Sequence, residues 1–140
     1  MDDTIDAMHI LDDHECWERL RENSFGRLVV NAAGEIDVFP VNYVGADDAL
    51  YLRTAPGTKL LELTIHPEVV FEIDCVDDGS AYSVVVKGTA EELQKQSEID
   101  EAEALPLVPL LPTLKYRWVR IRPTTLSGRA FRRAPEPDRY

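Results

Sequence analysis

One stretch, residues 68–93, decides the fold class, and it reads EVVFEIDCVDDGSAYSVVVKGTAEEL. Its first part, EVVFEIDCV, is rich in β-branched and aromatic side chains and predicts a strand. Asp77, Asp78 and Gly79 supply a turn, and the residues from Ala81 to Leu93 predict a second, longer strand. Because the turn is too short for a crossover connection, we expect the two strands to pair antiparallel.

Four further segments carry strand signals and bring the predicted count to six strands. They read GRLVVNA (26–32), EIDVFPVNYVGADD (35–48), ALYLRT (49–54) and KYRWVRIRPTTLSGRAF (115–131). Pro40, in the second of these segments, marks an edge strand or a bulge, because proline has no N–H to donate to a ladder.

Three short helices are predicted as well. They read LDDHECWERLREN (11–23), KLLELTIHP (59–67) and QSEIDEAEAL (96–105). In the first of them, Asp12 and Glu15 have the spacing of a capping box. Strands and helices do not alternate as in βαβ units, so the pattern predicts a mainly β protein, an antiparallel barrel with short helices packed at its ends. We expect one domain over residues 1–140, with loose termini at 1–9 and 134–140.

The composition argues against several classes of protein. The net charge of −11 disfavours general affinity for nucleic acid or for anionic membranes. The N-terminal residues lack a signal-peptide pattern, and no run of about 18 apolar residues occurs, so we expect a soluble, cytoplasmic protein. The two cysteines have no C-x-x-C spacing, and no pair of histidines has metal-ligand spacing. We therefore expect neither a disulfide framework nor a metal site.

Positive charge is concentrated near the C-terminus, where eight of the fifteen Lys and Arg residues lie between Lys115 and Tyr140. No stacking-aromatic motif or helix-turn-helix pattern accompanies this charge, so nucleic-acid binding is not expected. Two interpretations stay open. The basic residues form ion pairs with the acidic body of the same chain or of a second subunit, or they bind an anionic ligand.

The loop that begins at Arg53, RTAPGTK, gathers groups that bind phosphate. Hydroxyls come from Thr54 and Thr58, and cations come from Arg53 and Lys59. Gly57 lets the backbone approach a ligand closely, and Lys59 conflicts with the dipole of the following helix unless an anion lies nearby. The alternative is a Pro-Gly turn in which Thr58 caps that helix. The residues alone leave both interpretations open.

Two other segments place polar groups inside predicted strands. In FPVNYVG, Asn42 and Tyr43 interrupt an apolar run, either to hydrogen-bond a planar heterocycle or to satisfy a bulge at Pro40. In EVVFEIDCV, Glu72 and Asp74 lie on one face of the strand, because side chains alternate along it. This carboxylate pair is either a solvated outer face or a general acid–base pair.

Six segments, in this order, resemble one family of flavoproteins. They are ECWERLRENSFGRLVV, FPVNYV, LYLRTAPGTKL, VVFEID, YSVVVKGTA and WVRIRPTTLSGR. They look like the pyridoxamine 5′-phosphate oxidase-like proteins, in the branch of the nitroimidazole-resistance proteins, over roughly residues 10–131. The resemblance implies a six-stranded antiparallel split β-barrel that binds FMN, as a homodimer with flavin sites at the interface between subunits.

The resemblance also implies cofactor contacts. The loop that cradles the flavin phosphate in the family corresponds here to Arg53, Thr54, Thr58 and Lys59, which favours the phosphate interpretation of RTAPGTK. The remaining implied contacts surround the flavin ring. They are Val41, Asn42 and Tyr43 along the isoalloxazine and ribityl chain, Glu72 and Asp74 on the other side, and Trp118 and Arg129 from the partner subunit.

Two departures from the family pattern bear on activity. Ala81 and Tyr82 stand where many relatives carry Gly-Trp, so the packing on the substrate side is expected to differ. The fuller set of substrate-phosphate contacts of a true pyridoxamine phosphate oxidase is not recognisable in the sequence. We therefore do not expect the vitamin-forming oxidase activity.

The leading hypothesis is an FMN-dependent oxidoreductase that reduces small electrophiles, such as nitro compounds or quinones, with a nicotinamide as electron donor. No catalytic residue is assigned, because the flavin performs the redox chemistry and the protein positions it. One alternative is a reductase that uses a deazaflavin. The other is a flavin carrier or sensor without turnover.

Overall fold

The computed structural model of the protein describes residues 8–32, 34–57, 62–63, 65–108 and 116–132. Eight strands and two helices have defined bounds within them. The strands are β1 (Met8–Leu11), β2 (Phe25–Ala32), β3 (Glu35–Asn42), β4 (Val44–Ala46), β5 (Ala49–Thr54), β6 (Glu68–Val76), β7 (Ser80–Glu92) and β8 (Arg117–Arg132). The helices are α1 (Asp13–Glu22) and α2 (Gln96–Glu103).

The eight described strands form one antiparallel sheet, which curls into a half-barrel. Neighbouring strands follow the order β3-β2-β6-β7-β8-β5-β4, and β1 also pairs with β8. The long strand β8 joins the two halves of the sheet, because it pairs with β7 along most of its length and with β5 and β1 near its two ends. The mainly β, split-barrel fold predicted from the sequence is confirmed.

The predicted hairpin of residues 68–93 forms the centre of the sheet as β6 and β7. Its turn is closed by the Asp77 N–H, which donates to the Ser80 carbonyl at 2.9 Å. The carboxylate of Asp77 accepts in return from the N–H groups of Gly79 and Ser80, at 2.9 and 2.7 Å. These local bonds fix the register in which every core residue of the hairpin faces inward.

The described residues contain two more strands than the sequence predicted. Met8 and His9 were expected in a loose terminus, but they begin β1 and pair with Phe131 and Ala130 of β8. The predicted strand at 35–48 is interrupted at Tyr43, whose side chain turns into the core, so that its second part becomes β4. Pro40 lies on β3, at the end of the strand order and so on an edge strand, as its missing N–H predicts.

Helix α1 begins as predicted. The Glu15 N–H donates to the Asp12 carboxylate at 2.8 Å, and the Asp12 N–H donates to the Glu15 carboxylate at 3.2 Å, which completes a capping box. Cys16 and Leu20 are fully buried and pack the helix against the main core. The helix thereby closes one side of the half-barrel.

Side chains alternate between two faces of the curled sheet. The inner face carries the main core, which includes Leu28, Val30, Phe71, Ile73, Val84 and Val86. The opposite, outer face carries the residues between them, and most of these are polar or partly exposed. This alternation decides which of the predicted site residues a ligand outside the sheet is able to touch.

A second, smaller core lies outside the sheet, between α2 and the strands β5 and β8. Its buried residues are Leu93, Ala102 and Trp118, with Tyr51, Ile99 and Tyr116 packed around them. The predicted helix at 96–105 is therefore confirmed, and its apolar face covers the start of β8.

Several predictions fall on residues outside the described ranges. They concern residues 59–61 and 64 of the predicted helix at 59–67, residues 1–7 of the N-terminus, and the tail at 134–140. Within the described ranges, the His66 N–H donates to the Glu62 carbonyl at 2.8 Å, as in a helical turn. No helix in the described part of the chain is long and apolar enough to span a membrane.

Candidate functional site

Arg53 is the centre of one group of side chains on the outer face, which we call the Arg53 cluster (Arg53, Glu103, Tyr116 and Trp118). Arg53 lies on β5 directly opposite Trp118 of β8. Its guanidinium carbon is 4.2 Å from the centre of the Tyr116 ring and 5.7 Å from the Trp118 ring. Guanidinium groups stack favourably on aromatic faces, so this cation is held on a largely apolar surface.

The Nε–H of Arg53 is buried and has no hydrogen-bond partner among the described residues. A buried donor without a partner costs about 1–3 kcal/mol, so such groups mark places where a further acceptor belongs. Two acceptor atoms share this condition in the described chain, the Asn42 Oδ1 and the Glu62 Oε2. Two of these three residues, Arg53 and Asn42, belong to the set that the sequence predicted to contact a cofactor.

Asn42 is the last residue of β3, on the outer face of the sheet. Its Nδ2 donates to the carbonyl of Val108, whereas its buried Oδ1 has no partner among the described residues. The strands β3 and β5 share no ladder, yet the curl of the sheet brings them into contact. The unpaired atoms of Asn42 and Arg53 thus lie on neighbouring strands of the same half-barrel.

Three other predicted residues turn inward instead. Val41 is 6% exposed, Tyr43 is fully buried and Thr54 is 6% exposed. The Tyr43 hydroxyl donates to the Leu20 carbonyl at 2.6 Å, and burial raises the pKa of this hydroxyl well above its ordinary value. The cause is the alternation along each strand, which allows Asn42 and Arg53 to point outward only if their neighbours point inward. Any cofactor contact from Val41 or Tyr43 would therefore come from the main chain.

Thr58 and Lys59, the other half of the predicted phosphate loop, lie outside the described residues. Within the described part of that loop, the Thr54 hydroxyl donates to the neighbouring Ala55 carbonyl at 3.3 Å. Of the four residues assigned to the phosphate, Arg53 is thus the one whose side chain is described and faces outward.

Glu72 and Asp74 share the outer face of β6, as the sequence predicted, and both bind Arg27 of β2. The Arg27 Nη2 lies 2.6 Å from the Asp74 carboxylate and 3.2 Å from the Glu72 carboxylate. The bond from Arg27 lowers the pKa of Asp74, whereas partial burial, followed by the nearby Asp74 carboxylate, raises the pKa of Glu72. The ion pairs with Arg27 favour a structural, partly solvated role over general acid–base chemistry.

The two residues assigned to the partner subunit lie far apart on β8. Trp118 is 4% exposed and adjoins Arg53 of its own chain. Arg129 is exposed on the outer face and lies opposite Ser83 of β7, which itself lies opposite Asp74. Roughly 35 Å of strand separates Trp118 from Arg129 at about 3.3 Å per residue. Within one chain, therefore, Arg129 belongs with Glu72 and Asp74 and not with the Arg53 cluster.

Several basic residues of β8 pair with acidic residues of the same chain. Arg120, 12% exposed, lies 2.8 Å from Glu91 and 2.6 Å from Glu98. Arg122 lies 3.0 Å from Glu91. For these arginines, the first interpretation of the basic segment is confirmed, and their charge is not free for an anionic ligand.

The site residues predicted from the sequence do not include Arg27, Glu103 and Tyr116. Tyr116 and Trp118 alternate in the segment YRW, which places both rings on one face of a strand, and that signal was present. No sequence signal links Glu103 to these rings, because the contact depends on how α2 packs against β8. The sequence likewise does not indicate that Arg27 lies beside Glu72 in the sheet.

Known proteins with the same fold are similar to this chain in sequence. The model of a family described as pyridoxamine 5′-phosphate oxidase matches residues 12–130. A candidate pyridoxamine 5′-phosphate oxidase from Corynebacterium glutamicum is 44% identical, with 94% of this chain and 96% of that chain covered and a TM-score of 0.82. An FAD-binding protein from Mycobacterium smegmatis is 35% identical, with 90% and 100% covered and a TM-score of 0.78.

A more distant structure shares the fold. It is a candidate 5-nitroimidazole antibiotic resistance protein from Bacteroides thetaiotaomicron, 15% identical, with 89% of this chain and 88% of that chain covered and a TM-score of 0.74. The resemblance found in the six sequence segments is thereby confirmed. The chain belongs to the pyridoxamine 5′-phosphate oxidase family.

Proposed function

We propose that the chain binds a flavin, with FMN as the cofactor, and that the Arg53 cluster holds the flavin phosphate. The observation that carries this proposal is the buried Nε–H of Arg53, which has no acceptor among the described residues. A phosphate supplies both the missing acceptor and the opposite charge, and guanidinium–phosphate bonds are among the stronger hydrogen bonds in proteins. Inorganic phosphate would supply both as well, but the family relationship favours a phosphate carried by a flavin.

Asn42 supports the same placement at the other end of the ligand. Its buried Oδ1 has no donor in the described part of the chain, and an imide N–H or ribityl hydroxyl of a flavin would supply one. The residues present therefore fit a flavin, with an anion-binding group on β5 and a polar acceptor on the adjoining strand β3. The FAD-binding protein from Mycobacterium smegmatis supports a flavin in general, and FAD shares the phosphate that Arg53 would bind.

We further propose that the protein is a homodimer and that its outer face is the interface. Two large apolar residues on the outer face of the edge strand β3 are strongly exposed, Ile36 at 64% and Val38 at 58%. In the sheet, Val38 lies opposite Val29, and Val29 lies opposite Val70, which extends the apolar area across three strands. A second copy covering this area would bring its own Arg129, Glu72 and Asp74 toward the flavin.

The proposed activity is the reduction of small electrophiles, such as nitro compounds or quinones, with a nicotinamide donor. The flavin would accept and pass on the electrons. The protein's own residues would bind the phosphate through Arg53, orient the ring through Asn42 and exclude water with the aromatic rings of the cluster. Among the described residues, no nucleophile or acid–base pair is positioned for a step of its own, which is compatible with chemistry carried by a cofactor.

Two measurements test this function. The visible absorption spectrum of the freshly purified protein, with the mass of the released chromophore, should reveal FMN. Release of FAD or of a deazaflavin would show that the cofactor is not FMN. Steady-state turnover with NADH or NADPH and a nitroaromatic acceptor then separates an oxidoreductase from a carrier or sensor. A protein that neither contains nor binds a flavin contradicts the proposal.

A further inference from the structure

Glu103, the last residue of α2, binds both aromatic rings of the Arg53 cluster. The Tyr116 hydroxyl lies 2.7 Å from Glu103 Oε1 and 2.9 Å from Oε2. The Trp118 indole Nε1–H donates to the Oε1 at 3.1 Å. One carboxylate thus fixes two side chains whose polar atoms would otherwise rotate toward solvent.

The two rings in turn fix the guanidinium. They stand nearly perpendicular, with centres 6.2 Å apart and an angle of 87° between their planes. Arg53 lies over the Tyr116 ring at 4.2 Å and near the Trp118 ring at 5.7 Å. A phenol that donates to a carboxylate gains electron density, which strengthens its attraction for a cation on the ring face.

Glu103 keeps its negative charge in this arrangement. The hydrogen bonds from Tyr116 and then from Trp118 lower its pKa, and the nearby charge of Arg53 adds to the effect. Within the described residues, the side-chain hydrogen bonds of Glu103 go to the two rings, and the Nε–H of Arg53 has no partner. Besides the attraction between the two charges, the carboxylate therefore acts on Arg53 through the rings, and it leaves the Nε–H donor open to a ligand.

We propose that Glu103 is a positioning residue for phosphate binding: through Tyr116 and Trp118 it fixes the guanidinium of Arg53 in the orientation that receives the anion. The inference rests on the proposed flavin site and adds to it a determinant on α2, outside the sheet. Free rings would let Arg53 sample several rotamers, and each binding event would then require the loss of that freedom.

A purely structural role for Glu103 is the competing explanation, since the same contacts attach α2 to β8. The helix has a second attachment, because Glu98 lies 2.6 Å from Arg120. Removal of the Glu103 carboxylate should therefore leave the fold intact and change the cluster alone. Glu101 provides the matched control, because Glu101→Gln removes the same charge from the same helix without touching the rings.

The test compares affinities for FMN and riboflavin, which differ by the phosphate. Wild-type protein should prefer FMN, and Glu103→Gln should reduce this preference roughly tenfold while riboflavin affinity stays unchanged. Glu101→Gln should behave as wild type. In an Arg53→Ala background, Glu103→Gln should have no further effect, since it acts through Arg53. An unchanged preference in Glu103→Gln, or an equal loss in the Arg53→Ala background, overturns the inference.

An NMR measurement without flavin separates this inference from the proposed function. The Arg53 Nε–H resonance should be ring-shifted in wild type and should move toward the position of a free arginine in Glu103→Gln. The Trp118 indole N–H should move with it, while that of Trp17 stays constant. Unchanged resonances show that Glu103 does not position Arg53, whatever the protein binds. If the resonances differ between wild type and Glu103→Gln as expected, but the wild-type protein binds neither FMN nor riboflavin, the proposed function is contradicted. The role of Glu103 in phosphate binding is then contradicted with it.

Discussion

The guanidinium of Arg53 lies 4.2 Å above the ring of Tyr116, and its buried Nε–H points to no acceptor in the described part of the chain. This relationship combines a cation held in place by aromatic stacking with an unused donor. The buried donor costs free energy while it lacks an acceptor, and an anion that accepts its hydrogen bond removes this cost. The Arg53 cluster is therefore better suited to binding a ligand than to stabilising the fold.

A substitution at Tyr43 tests whether this residue belongs to the core or contacts the cofactor. Tyr43→Phe removes the hydroxyl that donates to the Leu20 carbonyl at 2.6 Å near the end of α1. The carbonyl is left without this partner, so we expect the free energy of unfolding to fall by about 1–3 kcal/mol in urea titrations. Flavin affinity should stay the same, because the ring is fully buried. A variant with normal stability and weakened flavin binding would place Tyr43 in the site instead.

Arg120 should contribute more to stability than its neighbour Arg122. Arg120 is 12% exposed and pairs with Glu91 and Glu98, whereas Arg122 is 59% exposed and pairs with Glu91 alone. Arg120→Ala leaves two carboxylates without this partner, but both remain partly solvated, so we expect the free energy of unfolding to fall by about 1–3 kcal/mol. For the exposed pair of Arg122, we expect Arg122→Ala to lower it by about 0–1 kcal/mol. Chemical unfolding of both variants measures the difference. Equal effects would indicate that the bridge between β8 and α2 adds nothing.

The pH dependence of Trp118 fluorescence reports on Glu103. The pKa of Glu103 is lowered from 4.5, so the contribution of its charged form is fully present above that value and is lost as the pH falls through the lowered pKa. In a Trp17→Phe background, Trp118 emission should therefore stay constant through pH 4.5 and change only at lower pH. Glu103→Gln should abolish the transition. A midpoint at or above 4.5 contradicts the hydrogen bonding described here.

Val38 tests the proposed dimer interface. Val38→Lys places a charge in the exposed apolar area of β3, where the side chain is 58% exposed in the single chain. A dimer that uses this area should shift to monomers in sedimentation velocity, because burial of an unpaired charge is costly. Ile65→Lys is the control, since Ile65 is 61% exposed and lies outside the sheet. If Val38→Lys leaves the sedimentation coefficient unchanged, the interface lies elsewhere or no dimer forms.

The fold was predictable where the signals are local. The capping box of Asp12 and Glu15, the turn at Asp77 and the alternation of β6 and β7 each depend on residues close together in sequence. Strand β1 was missed because the segment from Met8 to Leu11 is short and pairs with residues more than 100 positions away. Such pairing leaves no local pattern in either segment.

The candidate site was predictable only in part, for the same physical reason. The resemblance indicated PVNY as a unit, but the alternation of side chains separates outward Asn42 from inward Val41 and Tyr43. Arg53 was singled out by its loop, whereas the rings that hold it come from β8 and the carboxylate that holds the rings comes from α2. Contacts between three separate elements follow from packing, which no single segment encodes.

If Arg53 binds the phosphate of a flavin, as proposed, Arg53→Ala should change the affinity for FMN but not for riboflavin. Both affinities are measured by titration of flavin fluorescence quenching. Arg122→Ala is the control, because it removes an equal charge from β8 without touching the Arg53 cluster. We predict that Arg53→Ala weakens FMN binding by roughly 10- to 100-fold, as expected for lost charge-assisted hydrogen bonds, and leaves riboflavin binding unchanged. Equal affinities of Arg53→Ala and wild type for FMN would show that Arg53 does not bind the phosphate.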